Sequence, residues 1–166
     1  MKNKIKYKRI ATIDIGSNAI RMLISNVYEI NGKKVSTKNN IVRIPLRLGQ
    51  DSFSKSTLSD SSTNKLIKSF KAFKLLMDIN EVDSFLAYAT SAIRNINDSE
   101  VLLKRIFDET GIKLEVISGE KEAQITSQQD ISDHIGKTKN YCFVDVGGGS
   151  TEVIIFKNFK ILKLKS

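Results

Sequence analysis

Two short stretches of this sequence carry the residue types that handle phosphate. In Ala11-Thr12-Ile13-Asp14-Ile15-Gly16-Ser17-Asn18, an apolar run bears an aspartate, one β-branched residue follows, and a glycine-containing turn comes next. The same order recurs in Phe143-Val144-Asp145-Val146-Gly147-Gly148-Gly149-Ser150. Seven residues past each aspartate stands a charge, Arg21 in the first copy and Glu152 in the second. Glycine lets backbone N–H groups come close to a phosphate, and a tight turn can aim several of them at the same oxygens. An aspartate at a strand end can hold Mg2+ directly or through water, and Mg2+ neutralises phosphate oxygens during transfer. Two facing copies would clamp one phosphate chain. The alternative for either copy alone is a tight β-hairpin whose aspartate caps the turn. The recurrence, with three glycines in a row, favours phosphate.

The surrounding pattern predicts the elements that must hold these turns. Arg9–Ile15 and Ile20–Tyr28 read as strands, and Asn31-Gly32 is a strong hairpin signal. A third strand is expected within Val35–Leu48, with Pro45 marking a sheet edge or a strand end. Ser52–Ser62 reads as a polar loop. Leu66, Ile67, Phe70, Phe73, Leu76 and Met77 then recur at helical spacing. Val82–Ala89 returns to strand character. Asn97 with Glu100 suggests a capped helix start, and Gly111 a helix stop. A short strand is expected over Lys113–Ile117, a helix from Glu120 to about His134, a strand over Tyr141–Val146, and paired strands from Glu152 to Leu164. Strands alternate with helices after an antiparallel start, so the class is α/β with a mixed sheet. The last strands have no later helix to cover them, so one face of that sheet should be bare and the chain is expected to be part of a longer protein.

Composition narrows the setting. At 166 residues and 40% hydrophobic, the chain can build a core and is not of the disordered class. No apolar run approaches the roughly 20 residues of a membrane span. The basic start, Met1 to Arg9, leads into a strand and lacks the features of a signal peptide. Cys142 is the single cysteine, which excludes an internal disulfide; a reducing cytoplasm and a core position for this thiol are expected. Lysine and arginine number 27 against 18 acidic residues, a net charge of +9. Such a field attracts polyanions, but the lysines are spread along the chain and no basic-aromatic block for specific nucleic-acid binding is present. His134 is read as a surface residue without a role.

Four segments together resemble the Ppx/GppA family of exopolyphosphatases and guanosine pentaphosphate phosphohydrolases. Asp14-Ile15-Gly16-Ser17-Asn18 is similar to its first phosphate motif, which is shared across the actin-like ATPase superfamily. Ala89-Thr90-Ser91-Ala92-Ile93-Arg94 and Ile117-Ser118-Gly119-Glu120-Lys121-Glu122-Ala123 resemble two further family segments. Asp145-Val146-Gly147-Gly148-Gly149-Ser150-Thr151-Glu152 resembles its second phosphate motif. The resemblance implies an RNase H-like fold of the actin-like superfamily, with a first lobe over residues 1–124, an incomplete second lobe over 125–166, and a site between them. Full-length members would be expected to dimerise, and this portion alone is not expected to be active.

The resemblance also implies roles. Glu122 would be the general base that activates water against the terminal phosphorus. Gly119 before a helix would place Glu122 in the first turn, where helix electrostatics should keep the carboxylate ionised; a surface carboxylate at a helix start is the plain alternative. Asp14 and Asp145 would serve Mg2+ and the attacking water, with Glu152 assisting. Gly16, Ser17, Asn18, Gly147, Gly148, Gly149 and Ser150 would hydrogen-bond phosphate oxygens. Arg21 and Arg94 suit a bidentate grip on phosphate. The reaction would be in-line attack by water, without a covalent intermediate, on polyphosphate or guanosine penta- or tetraphosphate. Two rivals stand beside this. A kinase or chaperone-like ATPase of the superfamily would share the glycine turns but not the segment around Glu122. A binding module for polyphosphate or an alarmone would have no need of a base.

Overall fold

The computed structural model describes residues 6–127, 140–158 and 160–166. Three strands open the chain: β1 (Tyr7–Ile15), β2 (Ala19–Ile30) and β3 (Lys33–Pro45). Two helices follow, α1 (Gly49–Lys55) and α2 (Asp60–Ile79), then β4 (Ser84–Ala89), α3 (Ser91–Arg94) and α4 (Ser99–Thr110). β5 (Glu115–Val116) and α5 (Gly119–Ser127) lead on to β6 (Asn140–Val146), β7 (Thr151–Lys157) and β8 (Lys160–Lys165). The first five strands form one sheet in the order β3-β2-β1-β4-β5, and the last three another, β6-β7-β8. β1 pairs antiparallel with β2 and parallel with β4, so the first sheet is mixed, as its strand–helix alternation predicts.

Local chemistry explains the elements. Asn31 and Gly32 both adopt positive φ, 53° and 73°, the backbone that a two-residue hairpin turn needs. Along β1, Ala11, Ile13 and Ile15 face inward and are buried; Ile20, Met22 and Ile24 of β2 do the same. Against them pack Leu66, Ile67, Phe70, Phe73 and Met77, the helical stripe expected for α2, together with Leu102 and Ile106 of α4. Each such side chain removed from water stabilises the lobe by about 1.5–3 kcal/mol. Gly111 closes α4 with φ of 69°, its N–H bonded to Phe107 O at 2.7 Å.

Several expectations are corrected. The serine-rich stretch is not a loop. Gly49–Lys55 is helical, and Ser59 caps α2 by accepting from the Ser62 N–H. The hydroxyls of Ser59 and Ser62 both donate to Asp51 Oδ2, at 2.7 and 2.6 Å, so these serines build helix ends. Asp98, not Asn97, stands at the cap of α4 and makes no side-chain cap bond. The short strand over 113–117 pairs only at Glu115 and Val116, because Ile112 and Leu114 are drawn into the core. Cys142 is exposed. Tyr141 and Phe143 turn toward Ile154, Phe156 and Ala123, which leaves Cys142, Val144 and Val146 on the opposite, open face of β6. That open face is the bare one foreseen from the strand pattern. The end of the helix expected to reach His134 lies outside the described residues.

Candidate functional site

The two repeated stretches fold as one device used twice. β1 turns into β2 through Gly16-Ser17-Asn18, and the turn closes with Gly16 N–H donating to Ala19 O at 3.0 Å. β6 turns into β7 through Gly147 to Ser150, closed by Gly147 N–H donating to Ser150 O at 2.9 Å. The seven-residue spacing is a cross-strand pair in both: Asp14 lies opposite Arg21, and Asp145 opposite Glu152. Carbonyls of the first turn are tied down, since Leu46 and Arg47 N–H donate to Asn18 O and Gly49 N–H to Ser17 O. Among the described residues the N–H groups of Ser17, Asn18, Gly148 and Gly149 have no acceptor, which leaves donors uncommitted at both turns.

Together the turns wall a cleft of about 390 Å³. It brings together Asp14, Gly16, Ser17, Asn18, Arg21, Glu122, Asp145, Gly147, Gly148, Ser150 and Glu152 of the expected site. Two expected residues do not line it. Gly149 is turned against Phe53 and Ser17. Arg94 lies behind Glu122, its Nη1 donating to Ile117 O at 2.8 Å and standing 3.8 Å from Glu122 Oε2, too far for a hydrogen bond.

The charges differ between the copies. Arg21 donates to Asp14 Oδ2 through Nε and Nη2, at 3.0 and 2.6 Å, so the first pair neutralises itself. The second pair is two acids, and Glu152 is 2% exposed, accepting from Ser166 Oγ at 3.0 Å. Glu122 sits in the first turn of α5, where Ser118 Oγ accepts from the Lys121 N–H in the manner of a cap. Helix position does not dominate its titration as expected. Burial pushes the Glu122 carboxyl up to about 7; Glu152, Asp14 and Asp145 add to the rise and Arg94 opposes it. Its Oε2 is buried and has no hydrogen-bond partner among the described residues.

Five cleft residues were not among the expected site residues: the apolar Ala19 and Val146, and the polar Arg43, Thr90 and Ser91. Thr90 anchors its segment by donating from Oγ1 to Ile15 O at 3.1 Å, and Ser91 Oγ lies 3.3 Å from Ser17 Oγ. Arg43 faces Arg21 across β2 and β3. Among the described residues it has no ion pair, and Arg21 is spent on Asp14, so Arg43 is the cleft's uncommitted guanidinium. No three acidic, histidine or cysteine side chains among the described residues are grouped closely enough to hold a metal ion by themselves.

Comparison with known proteins converges on one group. The model of the Ppx/GppA phosphatase family matches residues 27–166. The chain is 34% identical over 155 residues to a bifunctional 3-dehydroquinate synthase/phosphatase of Fusobacterium nucleatum, covering 89% of this chain and 23% of that protein. It is 32% identical to a guanosine-5'-triphosphate,3'-diphosphate pyrophosphatase of Photobacterium profundum, over 94% of this chain and 30% of the relative. A crystal structure of an exopolyphosphatase from Cytophaga hutchinsonii superposes with a TM-score of 0.82 at 27% identity, covering 95% of this chain and 49% of that one. The matched part of the chain thus spans 23% to 49% of the length of these proteins. The mixed α/β architecture expected of an actin-like fold is the architecture found.

Proposed function

The chain belongs to the Ppx/GppA phosphatase family, and on that footing we propose that it supplies the first half of a site that hydrolyses the terminal phosphoanhydride of a phosphate chain. Polyphosphate and guanosine pentaphosphate are both compatible with this chemistry. The observation that carries the reading is Glu122: a half-buried carboxylate beside two glycine turns, with a free buried oxygen and a pKa lifted to about 7. A base poised near working pH combines a useful ionised fraction with proton affinity, as general base catalysis requires.

In this reading the N–H groups of the two turns hold oxygens of the terminal phosphate, and Arg43, together with the Arg21 Nη1 that is not bonded to Asp14, takes those further along the chain. Glu122 orients a water in line with the scissile bond and accepts its proton. Arg94 positions the base from behind. Four carboxylates around one cleft are hard oxygen donors that suit Mg2+. Without a three-ligand cage among the described residues, the ion would be held by Asp145 and Asp14 with water and substrate oxygens completing its shell. When bound, Mg2+ supplies charge neutralisation at the phosphate oxygens. The neighbouring half of a longer protein would complete the site, as a homodimer in the cytoplasm. Among the described residues no helix is long and apolar enough to cross a membrane.

The test is release of orthophosphate from polyphosphate and from guanosine pentaphosphate, measured on this chain and on the longer polypeptide that contains it. Glu122→Gln should abolish release by the longer protein while leaving polyphosphate binding in place. Release that survives Glu122→Gln would remove the base from the reading. No release from either substrate would leave a binding module.

A further inference from the structure

Phe53 lies on α1 and is 43% exposed, although a phenylalanine gains most by burial. Its ring is held instead between glycines of two different segments. A Cβ on Gly149 would collide with the ring edge, with Cε2 at 2.5 Å, and would stand 2.7 Å from Ser17 Oγ. A Cβ on Gly49 would meet the same Cε2 at 2.8 Å. On the other side of the second turn, a Cβ on Gly148 would meet Asn18 Nδ2 at 2.7 Å and Ser17 Cβ at 3.1 Å. The second glycine turn is therefore seated on the first, with the Phe53 ring as the third support. α1 is firmly fixed. Gly49 N–H bonds Ser17 O, Leu48 and Ser52 are buried, and Ser59 and Ser62 donate to Asp51.

We propose that Phe53 is a positioning residue whose ring, pressed on Gly149, sets how closely the second glycine turn approaches the first. Gly149 is then glycine because the ring needs its place, which accounts for a turn glycine that does not line the cleft. Two sets of N–H donors that must grip one phosphate tolerate little error in their separation, since a displacement of about 1 Å can cost on the order of a hundredfold. The reach of the ring edge fixes that gap from outside the cleft, without touching the phosphate. The role in phosphate binding rests on the function proposed above; the contact itself does not.

The chain has no tryptophan, so Phe53→Trp installs a single indole at the contact, excited selectively over the tyrosines. Acrylamide quenching of that indole should rise about twofold when Gly149→Ala is added; equal quenching in both backgrounds would overturn the contact. Tripolyphosphate affinity by calorimetry should fall about fivefold in Phe53→Ala and about thirtyfold in Gly149→Ala. The double variant should bind more tightly than Gly149→Ala alone, because the new methyl then meets Ser17 Oγ but no longer the ring. Losses that multiply in the double variant would overturn the positioning role. A thermal midpoint by circular dichroism close to that of the unsubstituted chain separates these effects from unfolding. If the quenching contrast appears but neither this chain nor the longer protein binds tripolyphosphate, the phosphate reading fails and takes the positioning role with it, while the packing of Phe53 on Gly149 stands.

Discussion

The hairpins β1–β2 and β6–β7 share a backbone and differ in charge. Each closes a glycine turn with one N–H···O bond of 2.9–3.0 Å, and each places its aspartate opposite a charged partner. In the first, the partner is Arg21, which satisfies Asp14 in an exposed ion pair. In the second, it is the buried acid Glu152. Like charges facing each other across strands are destabilising, and burial increases the cost. Both acids also act one helix away, where Glu152 and Asp145 push the Glu122 carboxyl upward. The comparison teaches a division of labour. The first hairpin is electrically balanced, backed by a large core and tied to its neighbours through the Ser17 and Asn18 carbonyls. The second rests on a small core of Ala123, Ile154 and Phe156 and concentrates negative charge beside Glu122.

Making the second hairpin less acidic should have the largest effect. Glu152→Gln should lower orthophosphate release by the longer protein about a hundredfold, within the range for acid–base groups, while moving the acidic limb of the pH–rate profile to lower pH. A rate loss without that movement would separate Glu152 from the titration of Glu122.

Next in size is the stability that the cleft sacrifices. The Glu122 pKa is raised from 4.5 to about 7. Between those values the folded state therefore holds a proton that the unfolded state has released, and stability falls as pH rises through this window. Above it, the ionised carboxylate costs on the order of 2 kcal/mol. Glu122→Gln should stabilise the chain by about that amount at pH 8, with no gain at pH 4, as read by denaturant unfolding. A gain equal at both pH values would assign the effect to packing.

Arg21→Glu gives the first hairpin the charge pattern of the second. Tripolyphosphate affinity should drop about tenfold, because a charge-assisted partner becomes a repulsive one. Unchanged affinity would leave Arg43 as the sole relevant guanidinium on that wall. The smallest effect is expected from Asp14→Asn. Its ion pair with Arg21 is exposed on both sides, so unfolding free energy should change by less than about 1 kcal/mol.

Much of this site was legible because its signals are local. A glycine turn between two apolar runs fixes a hairpin, and the spacing from aspartate to Arg21 or Glu152 fits a cross-strand pair whatever the rest of the chain does. Arg43 was not legible for a stated reason. Counting back from the Asn31-Gly32 turn places it opposite Ile20, on the core face. The irregularity between Ile24 and Ser25 shifts the register by one and puts it opposite Arg21, on the cleft face. Cys142 was misplaced because an apolar strand does not reveal which of its faces is covered. The serines before α2 looked like loop residues because capping by Ser59 and the pull of Asp51 appear only once the helix ends are in place. Phe53 carried no signal at all, since its partner Gly149 lies almost a hundred residues away.

The proposed mechanism depends most directly on the titration of one carboxyl group. Carbon-13 NMR of the Glu122 side chain, followed from pH 4 to pH 9 in the unsubstituted chain and in Glu152→Gln, measures it without reference to activity. A midpoint near 7 that moves down in the variant is the predicted result. A midpoint near 4.5 in both would mean that the cleft does not poise its base, and the proposed mechanism would lose the observation that carries it.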